Sequence, residues 1–121
     1  MLNLIAHPVH PASSITTDVG ALDQINRILI NNEKKLIKFY QESDFFIGLS
    51  RYHSGQYTLS ADHFQKIISN NPLSPWFDYS KLYAAKSLIK LGKPNDAERL
   101  LKSVEGEPRR EARKILYLNN V

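Results

Sequence analysis

The residues best suited to chemistry are the four histidines and the hydroxyls and carboxylates near them. Two of the histidines fall in the stretch RYHSGQYTLSADHF, residues 51–64, with Ser54, Ser60 and Asp62. Serine, histidine and aspartate make an acyl-transfer site only where the base reaches the nucleophile and the carboxylate orients the base. Here Asp62 and His63 are adjacent, and neighbours on a helix point about 100° apart, so nothing orients the imidazole or activates Ser54. His7-x-x-His10 has a spacing that could serve a metal, but no carboxylate stands near it. The chain also lacks HExxH, a Walker loop, GxGxxG and any cluster of paired carboxylates. The expectation is a protein that is not an enzyme and uses no cofactor or metal.

The histidines of that stretch take ordinary structural places instead. His53 falls near the end of a helix, where a cation complements the dipole. His63 falls on the next helix beside Phe64. Between them, Gly55 stops the first helix and Tyr57 opens the second. Tyr57 to about Ser69 carries Leu59, Ala61, Phe64, Ile67 and Ile68 on an apolar side, and Asn70-Asn71-Pro72 ends it. Ser74 can cap a helix beginning at Pro75, running to about Leu91 and stopped by Gly92. Pro94 opens a helix to about Val104, and Pro108 opens a last one to about Leu118.

Upstream, Leu22, Ile25, Ile28, Leu29 and Ile30 sit at helical spacing from Val19 onward. Asn31-Asn32 reads as a break, with Asn32 capping a segment from Glu33 that is either one helix to His53 or two. Residues 1–18, with Pro8 and Pro11, read as an extended arm. No segment keeps strand alternation, so the fold class is all-α.

The 121 residues favour one domain, here residues 19–121. Apolar residues are 42% and charged residues 23%, an ordinary globular composition. There is no cysteine, which excludes disulfides and thiolate metal sites but leaves both cytoplasm and periplasm open. No apolar run reaches the roughly 18–20 residues of a membrane span, and the N-terminus lacks the basic start of a signal peptide. The net charge of +4 is spread over Lys34, Lys35 and Lys38, then Lys81, Lys86, Lys90 and Lys93, then Arg109, Arg110, Arg113 and Lys114. A nucleic-acid domain concentrates its charge and adds a motif, so nucleic acid is the least favoured partner.

The chain repeats itself. Aligning Gly55 with Gly92, an offset of 37, matches Gly48 to Ala85, Ser60 to Ala97, Phe64 to Leu101 and Ile67 to Val104, each pair keeping its size class. A two-helix unit thus occurs twice. Small residues at 48 and 60 allow a close helix crossing that Phe64 fills.

This unit resembles the tetratricopeptide repeat (TPR), a helix–turn–helix of about 34 residues. The first copy, residues 41–74, has the small Gly48, the turn Gly55, the aromatic Tyr57, Ser60-x-x-x-Phe64 for the family's Ala-x-x-x-Phe, and the closing Pro72. The second, about residues 78–108, has Ala85, Gly92, Ala97 and Leu101 in the same roles. Asp44 and Lys81 hold the family's tryptophan positions, and Trp76 in the linker can supply bulk. The longer connection at 72–77 is similar to that of bacterial envelope-associated and membrane-anchored tetratricopeptide proteins.

The resemblance implies a right-handed α-α superhelix of two TPR-like helix hairpins, with capping helices at 21–40 and 108–118. It implies a scaffold for protein binding, whose first helices line a concave groove for a peptide or protein segment. The groove residues would be Phe45, Phe46, Leu49, Tyr52 and His53 from the first copy, and Tyr79, Tyr83, Lys86 and Lys90 from the second. Phe45 and Leu49 hold two positions of the carboxylate clamp known in one subfamily, so the resemblance does not extend to that clamp. The alternative is a homo-oligomer whose copies pair through the N-terminal arm.

Overall fold

The computed structural model of the chain describes residues 19–119. The expected arm at 1–18, with His7 and His10, lies outside the described residues. Those described form five helices and no strand: α1 (Val19–His53), α2 (Tyr57–Asn70), α3 (Phe77–Lys90), α4 (Pro94–Lys102) and α5 (Arg109–Asn119). The all-α class is as expected.

The first difference from the sequence reading lies in α1. It is one helix through Asn31-Asn32 and through the ambiguous 33–53 segment. Asparagine in a helix interior costs only a few tenths of a kcal/mol, and with Leu29, Glu33, Lys34 and Lys35 around it no proline or glycine forces a break.

The chain divides into two compact units, with the boundary after Ile37 inside α1. In the first, every residue from Leu22 to Ile37 is exposed. The second unit, Lys38–Val121, holds the core. No residue from Leu22 to Tyr40 is buried.

Within the second unit two glycine turns make two hairpins. Gly55 and Gly92 have φ of 80° and 77°, the left-handed conformation that stops a helix without steric cost in glycine alone. Between them, α3 starts at Phe77, two residues later than Pro75. The Ser74 hydroxyl accepts from the Trp76 amide (3.1 Å) and the Ser74 carbonyl from the Phe77 amide (3.1 Å), so a turn occupies that stretch first. Pro94 stands at the first position of α4, and a buried Pro108 precedes α5.

The positions matched at offset 37 share an environment as well as a size class. Ser60 and Ala97, Phe64 and Leu101, and Ile67 and Val104 are all buried, as are Gly48 and Ala85. One core cluster joins Phe45, Phe64, Ile67 and Ala84. The other joins Ala61, Leu82, Ala85, Leu88, Ala97, Leu101, Val104 and Ala112. Polar ties hold the helices in register. Ser60 Oγ and Ser87 Oγ share a buried hydrogen bond of 2.5 Å between α2 and α3. His63 Nε2 lies 2.6 Å from the Asp44 carbonyl of α1, and since a carbonyl only accepts, that nitrogen carries the proton. The Glu105 amide donates to Asp78 Oδ1 and Lys81 Nζ to the Ser103 carbonyl, fixing the α4–α5 connection against α3.

The crossing of α1 and α2 is close. A Cβ on Gly48 would stand 2.6 Å from the Phe64 ring, which is fully buried between Phe45 and Tyr83. Alanine gains up to about 1 kcal/mol of helix propensity over glycine, but overpacking a hemmed-in ring costs about 1–3 kcal/mol. Gly48→Ala is therefore expected to destabilise the protein by about 1 kcal/mol in denaturant unfolding. The opposite sign is expected at Ser80, fully buried with its hydroxyl unpartnered. Ser80→Ala removes an unpaired polar atom and should raise stability by about 1 kcal/mol in the same measurement.

Candidate functional site

The last turns of α1 and the whole of α3 bring the expected groove residues together. On α3, Tyr79, Tyr83, Lys86 and Lys90 recur at helical spacing and form one stripe. On α1, Phe45, Leu49 and Tyr52 form the stripe that meets it. The rings are continuous. Tyr52 lies 5.6 Å from Tyr83 and 5.6 Å from Tyr57, edge to face. Phe46 lies 5.7 Å from Trp76, which lies 5.8 Å from Tyr79.

The expected residues are not equally available. Phe45 is 2% exposed, stacked on Trp76 at 4.6 Å and edge-on to Tyr79 and Tyr83. It is therefore a core ring and not groove lining. Its place on the seam between α1 and α3 is what buries it. Leu49, Tyr52, Tyr79 and Tyr83 are half-buried, and Tyr83 also stacks on Phe64. Phe46 (49% exposed), His53 and Lys90 are open to solvent.

The two lysines differ. Lys90 makes no ion pair with a described residue. Lys86 is half-buried, with its ammonium 4.7 Å from the Tyr83 ring centre and 2.5 Å from Glu111 Oε2 on α5. It ties α3 to α5 rather than waiting free for an acidic partner. Its pKa is pulled down by burial, but the Glu111 hydrogen bond and the charges of Glu111, Tyr83 and Tyr52 more than reverse this and leave it above the usual lysine value. Tyr79 is also raised, by burial first and then by the neighbouring Glu107 carboxylate.

Sequence reasoning missed Glu111. It also missed Ser87, whose hydroxyl bonds both Ser60 and the Tyr83 carbonyl. The row of small residues Ser80, Ala84, Ala85 and Ser87 on α3 was the available signal for a close contact there. Nothing in the sequence pointed to Glu111 reaching Lys86.

Among the described residues the face has rings, a half-open apolar floor and Lys90 without an ion pair, and no arrangement of nucleophile and base. Among the described residues no group of three His, Asp or Glu side chains could hold a metal ion, and no described helix is long and apolar enough to cross a membrane. No family model matches the chain, and neither a curated protein nor a solved structure matches it.

The raised pKa values fix a direction for pH dependence. A lysine and a tyrosine that hold their protons more tightly when folded contribute stability that is complete below their unfolded pKa values, about 10. That contribution is lost as pH rises through the folded values. The melting temperature should fall as pH rises above about 10, and Glu111→Gln should flatten part of the fall. A Glu111→Gln profile parallel to the parent would show that the pair carries none of it.

Proposed function

We propose that the second unit is a TPR-like module that binds a peptide or protein segment on the aromatic face of α1 and α3. The finer arrangement proposed is a right-handed superhelix of two hairpins, about residues 41–74 and 78–108, with 108–118 as the capping helix. The observation that carries the reading is the ring surface from Phe46 through Trp76 and Tyr79, and from Tyr52 to Tyr83, left partly open, with the exposed Lys90 further along α3. Half-open aromatics are the residues that anchor segments in preformed grooves. The same rings hold the helices together, so the face is stiff before a partner arrives and little ordering entropy is lost on binding. The chemistry is recognition by shape and apolar contact, without a covalent step.

Ligands selected from a displayed peptide library against the protein provide the test. Phe46→Ala is expected to weaken the selected peptides by about tenfold, with Lys90→Ala weakening acidic ones. Helical circular dichroism should stay unchanged in both. Tyr83→Ala should instead lower the melting temperature, because that ring is shared with the core. Peptides that bind equally to the Phe46→Ala and Lys90→Ala proteins would place recognition elsewhere.

A further inference from the structure

The first unit presents a different surface. Leu22, Ile25, Ile28, Leu29, Ile30, Leu36 and Ile37 are each between 44% and 58% exposed. Five of these, Leu22, Ile25, Ile28, Leu29 and Leu36, lie toward one side of the helix, while Ile30 and Ile37 fall toward the side of Arg27 and Lys34. A helix of this length with no buried residue is marginal in water, since most helical stability in proteins comes from packing an apolar face.

The spacing says what covers that face. Leu22, Leu29 and Leu36 recur every seven residues, with Ile25 and Asn32 between them at the second position of the heptad, and the pattern reaches Phe39 in the sequence. Ile28 flanks the stripe on one side and Glu33 on the other. Arg27, Lys34 and Lys38 fall on the opposite side of the helical wheel. We propose that residues 22–36 of α1 are a self-association seam, in which copies of this chain pack α1 against α1 in parallel as a coiled coil.

Two residues decide the occupant. Asn32 lies within the stripe, where lipid would leave its amide unpaired, whereas a parallel seam sets Asn32 beside its counterpart so that the two amides can bond each other. Glu33 lies at the edge of the stripe, where a helix lying in an anionic membrane would bring a carboxylate to the lipid boundary. In a coiled coil the same position is a solvated flank.

Sedimentation of the full chain tests this, with the fluorescence of Trp76, the only tryptophan, reporting the fold of the second unit separately. The expected result is a mass above the 13.9 kDa of one chain that falls to that value in Leu29→Asp, with Trp76 emission unchanged. Asn32→Leu should keep association and tighten it by about tenfold, as removal of a buried polar seam residue does. A monomer at every concentration, or association that Leu29→Asp leaves intact, would overturn the proposal. So would an Asn32→Leu protein that associates no more tightly than the parent. A monomer that instead cosediments with phosphatidylserine vesicles would overturn it in favour of a membrane surface. None of these outcomes depends on the peptide-binding face of the second unit.

Discussion

The approach of Phe64 to Gly48 is the contact on which the second unit depends. A ring with no exposure needs a space, and that space exists only because α1 carries no side chain at position 48. The ring then fixes its neighbours, with Phe45 at 5.6 Å and Tyr83 at 5.9 Å. Three helices therefore meet at one side chain. The second hairpin repeats the arrangement with Ala85 and Leu101, a slightly larger small residue facing a slightly smaller large one. Interiors near crystalline density accept such exchanges when the summed volume is kept.

A unit of this size cannot keep core and surface as separate populations. Its rings do both. Phe45 belongs wholly to the interior, Phe46 largely to the surface, and Tyr52, Tyr79 and Tyr83 divide themselves between the two. The polar ties follow the same economy. Ser60 and Ser87 satisfy each other where two helices come too close for larger groups, and Lys86 spends its charge on Glu111 to bring α5 against α3. A face built this way is rigid because its lining is also its support.

The helix α1 obeys two different constraints along its length. From Phe45 onward its side chains are selected by what α2 and α3 offer. From Leu22 to Ile37 every residue is exposed, yet the sequence keeps an apolar stripe and a cationic one. Local propensity is enough to continue a helix once it is nucleated by packing further on, since propagation costs far less than initiation. It does not explain the apolar stripe of Leu22, Ile25, Leu29 and Leu36, because solvated helix positions need none.

The sequence by itself determined the all-α class, the three helix stops and the internal repeat. Glycine in a left-handed turn, proline at a first helical position and apolar residues at a period near 3.6 are local signals, each read within one turn of chain. It erred at Asn31-Asn32, where a weak breaker was outweighed by strong formers around it. Tertiary structure decided which ring of the pair Phe45 and Phe46 is interior, and that Lys86 is already paired. It also decided that residues 22–37 stand as a unit with no buried side chain. Each of those outcomes depends on what lies across a helix interface, at a separation of 27 residues for Ser60 and Ser87. Periodicity along one helix reports which side is apolar, but not which neighbour meets it or whether any does.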